Sequence, residues 1–417
     1  MKVQKDKTVK VFMEGAITAG ASAIHIEPRE EGMQTRYRVD GLLQKATSPA
    51  TPELVAHIKT LCDLQDERHV PQDSRFKFST GGKRYIIRVS TMLIANGEKL
   101  VLHIMHEATT PLSLEELGYW GHNLTAINTA IAQPQGLILV TGPVGSGTST
   151  SLYSMLNLLN NPTINIATIE DTVEYRLPGA NQAQINPKLG MTFAAGLRAL
   201  LRQDPNIIMV GEIPDSVTAD LVLQTALAGR LIFSTLRTTS AAASITCLTD
   251  MGIPPFLISS SIRAIVAQRL ARRLCSRCKQ LYKPEAHEVA SIFDAFTITN
   301  KAQVAQLQKL EKQALAESIG PENKQFSFEK NTIARLWRAA DKGCAACNHT
   351  GYRGRVGLFE VLPMSPAIQK LASNGATCAS IHEQALREDM VSMQTDGLIK
   401  VLRGQTSIEE VLRVTRS

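Results

Sequence analysis

Leu137-Ile-Leu-Val-Thr-Gly-Pro-Val-Gly-Ser-Gly-Thr-Ser-Thr150 decides the reading of this chain. A short apolar run, Leu137 to Thr141, passes into a glycine-rich turn, and a helical pattern follows from Ser151. Strand, glycine loop and helix in that order aim backbone N–H groups and a helix N-terminus at one point, which suits a phosphate. The phosphate-loop pattern asks for Gly, four residues, Gly, Lys, then Ser or Thr. Gly142 and Gly147 fill the glycine positions, and Ser149 fills the position whose hydroxyl reaches magnesium. Thr148 stands where the lysine belongs. The cradle is written into the chain and its cation is not.

Beyond the loop the apolar pattern alternates between two periods. Asn165 to Glu170, Ile207 to Val210 and Leu231 to Thr235 are short apolar runs, while Phe193 to Arg202 and Ser216 to Leu227 keep helical spacing. Short apolar strands separated by helices predict a parallel sheet covered on both faces, with phosphate bound off the strands' carboxyl ends. Ile207-Ile-Met-Val-Gly-Glu212 is a strand ending in a carboxylate, where a phosphate-loop enzyme places an acid near magnesium and the attacking water. An acid at a strand end is common without function, but its place downstream of the loop favours the functional reading. Thr168 to Tyr175 sets Glu170, Asp171 and Glu174 at the end of a neighbouring strand. Clustered carboxylates repel one another, so magnesium or an arginine is the expected partner, with a solvated acidic loop as the alternative.

Residues 1 to 106 read as a separate α+β domain. Val11 to Ala19 and Pro52 to Cys62 are helical in pattern; Ser22 to Glu27, Thr35 to Val39, Tyr85 to Ser90 and Leu100 to Ile104 read as strands. Arg36, Arg38, Arg75, Arg84 and Arg88 lie on or beside those strands, either as a solvated face or as a cationic surface for a neighbour's phosphates. Residues 107 to 118 read as a linker entering a short helix, with Pro111 disfavouring helix before it and Ser113 and Glu116 spaced as a capping box.

At 417 residues the chain has room for two or three domains. Hydrophobic content of 44% with 20% charged residues is that of a soluble globular protein, and 5% aromatics argues against base stacking as the main binding chemistry. The net charge of +7 permits acidic partners and selects none. No apolar run approaches a membrane span, and Glu14 interrupts the only apolar stretch near the N-terminus, so neither an anchor nor a signal peptide is expected and the chain reads as cytoplasmic.

Cys62, Cys247 and Cys378 are isolated and read as buried small residues. Cys275/Cys278 and Cys344/Cys347 form two Cys-x-x-Cys pairs, which in a reducing compartment point to a closed tetrahedral zinc site. The 65 residues between the pairs exceed what a compact zinc ribbon needs, so the amphipathic helix at Lys301 to Ser318 reads as an excursion. Neither pair lies beside the glycine loop in sequence, which makes the metal structural. Residues 263 to 279 hold Arg263, Arg269, Arg272, Arg273, Arg277 and Lys279 with no acid, and are read as a solvated helix face, with a subunit contact as the alternative. From Pro366 the pattern is helical to the end.

Together, Gly142 to Thr150, the acidic stretch at Thr168, Leu197 to Glu212, Ala267 to Cys278 and Gly351 to Val361 resemble the secretion ATPase superfamily, and within it the type II secretion and type IV pilus assembly ATPases. Ala21 to Pro28, Arg36 to Gly41, Pro71 to Arg75 and Arg88 to Thr91 resemble that family's second N-terminal domain; the first, which docks to membrane-associated partners in longer members, has no counterpart here. The resemblance implies an α/β protein: the N-terminal α+β domain, a linker at 107–118, a RecA-like core at 119–274, a tetracysteine zinc subdomain at 275–347 and a C-terminal helical part at 348–417. It implies a cytoplasmic hexamer, peripheral to the inner membrane, with ATP bound between a subunit's two domains. Turnover in such a motor drives an inner-membrane platform protein that adds or removes pilin-like subunits. By position, Gly142, Pro143, Val144, Gly145, Ser146, Gly147, Thr148, Ser149 and Thr150 are the Walker A loop, with Ser149 on magnesium. Gly211-Glu212 ends the Walker B strand, Glu170, Asp171 and Glu174 fall in the Asp box, and Cys275, Cys278, Cys344 and Cys347 are zinc ligands. Retraction-type members usually lack those cysteines, so assembly or secretion is the expectation, with no nucleic acid partner.

The departures sit in the nucleotide site. Thr148 replaces lysine, and the His box reads Gly229-Arg230-Leu231 and Thr235-Leu236-Arg237-Thr238-Thr239. Pro214 replaces an arginine, Val217 an acid, and Ala23 the acid of Ala-Ser-Asp-Ile-His. Without the lysine, backbone N–H groups and magnesium on Ser149 still hold a nucleotide, while transition-state charge loses a stabiliser and hydrolysis falls by roughly a hundredfold or more. That expectation stands beside two alternatives: an active motor in which Arg230 and Arg237 restore the charge, and a non-hydrolysing subunit of a mixed hexamer with an intact paralogue.

Overall fold

The computed structural model describes residues 7–46, 48–64, 70–106, 111–317, 319 and 325–416. The chain forms two compact units that divide after residue 109, with Glu174–Arg176 grouped with the first. Residues 107–110 of the expected linker lie outside the described residues. Among the described residues no helix is long and apolar enough to cross a membrane.

The first unit runs α1 (Lys7–Thr18), β1 (Ala21–Arg29), β2 (Gly32–Val39), β3 (Leu42–Lys45), α2 (Pro52–Leu61), β4 (Gln72–Thr80), β5 (Lys83–Ile94) and β6 (Gly97–His106). Its strands make one antiparallel sheet in the order β3-β2-β1-β6-β5-β4. Ile24, Ile26, Tyr37, Phe78, Ile87, Leu100 and Leu102 bury one face against Val9, Phe12, Met13 and Ile58 of the helices. Alternation then sends the arginines to the other face. There Arg36 forks onto Glu27 at 2.7 and 3.0 Å, and Lys99 reaches the same carboxylate at 2.8 Å. The sequence pattern misses β3 and β4. Both are edge strands, and in β4 only Phe76 and Phe78 alternate inward among polar residues, so the period-2 signal is two residues long.

The second unit opens with α3 (Leu114–Leu117). Its capping box forms as the spacing predicts: Ser113 Oγ accepts the Glu116 N–H at 3.2 Å and Glu116 returns to the Ser113 N–H at 2.8 Å. Then come α4 (Gly121–Ile131), β7 (Gly136–Thr141), α5 (Thr148–Leu159), β8 (Ile166–Glu170), β9 (Asn181–Gln184), α6 (Phe193–Leu201), β10 (Ile207–Val210), α7 (Ser216–Leu227), β11 (Leu231–Leu236), α8 (Ala241–Asp250) and α9 (Pro255–Ser261). The chain continues through β12 (Ile262–Leu274), β13 (Gln280–Tyr282), α10 (Ala286–Ala295), α11 (Lys301–Ala316), β14 (Phe328–Glu329), β15 (Thr332–Ile333), β16 (Leu336–Arg338) and β17 (Tyr352–Pro363). Four helices close it: α12 (Pro366–Ser373), α13 (Cys378–Arg387), α14 (Met393–Leu402) and α15 (Ile408–Thr415). Seven strands form a sheet in the order β17-β12-β7-β11-β10-β8-β9, parallel throughout except at the β12–β17 pair. Every residue of β7, β8 and β10 is buried, as strands covered on both faces require. One apolar core joins the sheet helices to Val289, Ile292, Val304 and Leu307 of the excursion, so the tetracysteine segment shares its interior with the rest of the unit.

The basic run is a correction to the sequence reading. Residues 262–274 are not a solvated helix face but the strand β12, hydrogen-bonded to β7 on one side and β17 on the other. Its arginines recur at spacings that mimic a helix face, and the vacant place beside β7 overrides that local pattern. Arg263, Arg269 and Arg272 find partners within the fold, while Arg273 and Arg277 are exposed. Arg272 stacks over the Tyr352 ring at 4.0 Å, and both its N–H and its Nη2 donate to Glu410 of α15, at 2.9 and 2.8 Å. Arg413 adds a fork onto the same carboxylate at 2.7 and 2.8 Å. Burial raises the Glu410 carboxyl, but the bonds from Arg413 and Arg272 outweigh it and bring the pKa down to about 2. An unfolded glutamate titrates near about 4.3. The folded value is the lower one, so this stabilisation is complete above about pH 5 and is lost as pH falls through about 2. Glu410→Gln is expected to remove on the order of 2 kcal/mol at pH 7 and about half of that at pH 3, read by urea unfolding at both; equal losses would contradict the pairing.

Candidate nucleotide site and metal centre

β7 lies between β11 and β12, and its carboxyl end feeds the turn of residues 142–147 into α5. Two features shape that turn. Gly145 and Gly147 take left-handed backbone angles, φ 85° and 87°, which glycine adopts without strain. At Gly142 a Cβ would press on Ser146 Oγ and stand 2.7 Å from the Gln268 carbonyl, so only glycine lets the two backbones approach. The N-cap of α5 is Gly147, with no side-chain cap and no acid in the first turn. The first N–H groups of a helix lack intrahelical acceptors, so those of α5 stay available at its positive end, with the Ser149 hydroxyl beside them.

Gln268 of β12 holds the turn from beneath. Its Nε2 donates to the Ser146 carbonyl at 2.8 Å and its Oε1 accepts from Ser151 Oγ at 2.8 Å, all of it buried. Sequence reasoning passed over this residue, because its two bonds cross more than a hundred positions and follow no local spacing. At the same sheet edge Thr141 Oγ1 donates to the Leu236 carbonyl at 2.6 Å and accepts the Thr238 N–H at 3.0 Å, tying the end of β7 to the loop after β11.

Glu212 follows β10 at this carboxyl edge, where the Ile213 N–H donates to the Thr235 carbonyl at 3.0 Å. Its carboxylate pairs with Arg237 Nη2 at 2.7 Å. Arg237 is 64% exposed, which places the pair in the range of exposed ion pairs, about 0–1 kcal/mol. Arg230 lies apart from these groups. It precedes β11, its carbonyl accepts the Gly136 N–H at the amino edge, and its side chain faces Asp204 at 3.7 Å. A six-residue strand separates it from the glycine loop of its own subunit, about 20 Å.

The three acids at the end of β8 and beyond it separate as well. Glu170 is 4% exposed and fully engaged: Tyr153 donates to Oε2, while Thr168 at 2.5 Å and Gln182 at 3.3 Å donate to Oε1. Burial raises its pKa against those bonds. Neutral donors therefore supply what was expected from magnesium or an arginine. Asp171 is exposed and Glu174 half-buried.

The two cysteine pairs converge. The four sulfurs lie within 4.8 Å of one another, with Cys275–Cys344, Cys278–Cys347 and Cys344–Cys347 each at 3.8 Å. Tetrahedral ligands about 2.3 Å from zinc stand about 3.8 Å apart, so the donor set and spacing fit that ion. Cys347 Sγ accepts N–H bonds from Cys344 at 3.1 Å and Gly351 at 3.3 Å. Burial raises this thiol, yet those bonds outweigh it and bring the pKa down to about 6, which favours the thiolate a metal needs.

Comparison with known proteins follows the same lines. A family model described as "Type II/IV secretion system protein" matches residues 3–413. The type II secretion system ATPase E of Vibrio cholerae is 41% identical over 414 residues, covering 98% of this chain and 75% of that protein. The type IV pilus assembly ATPase PilB of Pseudomonas aeruginosa is 39% identical over 413 residues, covering 98% and 67%. Among solved structures, the Legionella pneumophila ATPase DotB superposes with a TM-score of 0.67 at 21% identity, covering 98% of this chain and 96% of that one. The pilus retraction motor PilT with bound ADP gives 0.62 at 22%, covering 97% and 96%. At these identities the two structures speak to the fold alone.

Proposed function

The chain belongs to the type II/IV secretion system protein family, and from that premise we propose that it is a nucleotide-binding motor subunit that holds magnesium-ATP in the 142–150 cradle and hydrolyses it slowly or not at all. The relatives named as ATPases at 41% and 39% identity support ATP as the ligand. One observation carries the slow turnover: the glycine turn, the uncapped helix start and the Ser149 hydroxyl are kept, while position 148 presents a threonine. The cradle's N–H groups bind phosphate oxygens in the ground state, whereas the missing ammonium group serves charge that develops on the β–γ bridge. Neither replacement arginine is placed to supply it, since Arg230 sits at the far edge of the sheet and Arg237 is turned onto Glu212.

In this reading Ser149 is the magnesium ligand, and Glu212 holds the attacking water once Arg237 releases it. Glu170 is a structural acid that fixes the end of β8, and Asp171 approaches the metal from the exposed loop. We place the chain in a ring, a hexamer of itself or with an intact paralogue, that acts on an inner-membrane platform protein of a pilus or secretion machine. Thermal melting tests the binding step. Magnesium-ATP is expected to raise the melting temperature by several degrees, and Gly142→Val, whose Cβ clashes with Ser146 and the Gln268 carbonyl and so distorts the turn, to abolish that shift. No shift in the unmodified chain would remove the nucleotide claim.

A further inference from the structure

Gln268 sits in the middle of β12, paired with Phe359 of β17, and is 1% exposed. Its backbone is fixed on more than one side. Its carbonyl accepts from Arg269 Nη1 at 3.0 Å, and the chain at Gly142 comes so close that a Cβ there would stand 2.7 Å from the same oxygen. The side chain leaves this strand and runs under the glycine turn, where a Cβ on Gly147 would stand 3.3 Å from Nε2. The chemistry of its two partners settles which way the amide points. A backbone carbonyl only accepts, so Nε2 faces Ser146, at 2.8 Å. Oε1 is left for Ser151 Oγ, which donates at 2.8 Å.

Those two anchor points bracket the part of the loop that matters. Ser151 is the first residue of α5 whose N–H is taken by the helix itself, bonding the Gly147 carbonyl at 3.1 Å. The N–H groups of 147–150, between the anchors, are the ones left without intrahelical acceptors. We propose that Gln268 is the positioning residue of the phosphate site, holding the turn in its binding shape before a nucleotide arrives. The inference rests on the nucleotide reading and deepens it. With Thr148 in the lysine's place, backbone N–H groups carry the direct hold on phosphate oxygens, and they grip an anion only while they converge. A turn held from a rigid strand is competent at all times, whereas a turn competent for a tenth of the time binds about tenfold more weakly. A neutral carboxamide suits the task. It offers a donor and an acceptor in one plane and adds no charge to compete for the phosphates.

Gln268→Met keeps the length of the side chain and deletes both bonds. Thr406→Val is the matched control. Thr406 is fully buried, and its Oγ1 donates at 2.8 Å to the Arg272 carbonyl, so a bond to the same strand is lost away from the turn. Calorimetric titration of the zinc-loaded full chain with magnesium-ATP reads the dissociation constant and the number of sites separately. Gln268→Met is expected to raise the dissociation constant by about tenfold or more with the number of sites per chain unchanged, and Thr406→Val by less than about twofold. Ser151→Ala, which removes one of the two bonds, is expected to give a smaller rise and to add nothing on top of Gln268→Met. Without nucleotide, amide exchange of residues 144–147 is expected to quicken in Gln268→Met and not in Thr406→Val. An unchanged dissociation constant in Gln268→Met, whether or not sites are lost, overturns the positioning role and leaves the nucleotide reading standing. No binding by the unmodified chain overturns the nucleotide reading and this inference with it.

Discussion

Thr148→Lys is expected to raise steady-state ATP hydrolysis by roughly a hundredfold or more over the unmodified chain, with a much smaller change in nucleotide affinity. Position 148 is the first residue of α5, one step beyond Gly147, so a lysine there rises from the helix start beside the cradle. Removing one preorganised donor to transition-state charge typically costs about 2.7–4 kcal/mol of barrier, and restoring the group returns a comparable amount. The Arg237–Glu212 pair does not block the gain. It is exposed and worth about 0–1 kcal/mol, less than the attraction of a bound magnesium for a free carboxylate nearby. Arg237→Ala alone is accordingly expected to change turnover by less than about tenfold. If Thr148→Lys leaves turnover where it was, the threonine is not what limits this chain.

The second large effect is loss of the tetracysteine centre. Chelation, or Cys347→Ser, is expected to release one zinc per chain and to lower the melting temperature by more than about 10 °C. Zinc at closed Cys₄ sites contributes folding energy outright, and here its loss reaches further than the ligands. Cys275 follows the end of β12, and the Cys347 sulfur organises the turn that leads into β17. The core that joins the excursion to the sheet helices passes between the two pairs, so loosening the centre loosens Val289, Ile292 and Leu307 with it. Cys62→Ser, in the first unit, is the control. A chain that carries no metal by mass spectrometry and melts unchanged with chelator would contradict the assignment.

Much of this was legible in the sequence, and the misses share a cause. β7, the glycine turn and α5 announce themselves because strand, loop and helix are contiguous and each residue's role is local. The cysteine pairs are legible for the same reason, since two Cys-x-x-Cys turns need only meet. β12 was misread because its arginines were judged by spacing along the chain, while their partners, Glu410, Tyr352 and Thr239, lie elsewhere in the fold. Gln268 was invisible for that reason too. Glu170 was grouped with Asp171 and Glu174 by adjacency, and only the fold reveals that Tyr153 and Gln182 enclose it. Arg230 could have been placed from the sequence alone. In a parallel sheet a residue before one strand and a residue after another lie at opposite edges, and Arg230 precedes β11 while Glu212 follows β10.

The most direct test of the account follows bound ATP through a single turnover. The protein is mixed in excess with γ-labelled magnesium-ATP and quenched at intervals, beside Thr148→Lys under the same conditions. The account predicts that the unmodified chain retains its nucleotide as intact ATP long after the lysine variant has converted its share to ADP and phosphate. Equal rates of conversion, or no retained nucleotide on the unmodified chain, would contradict it.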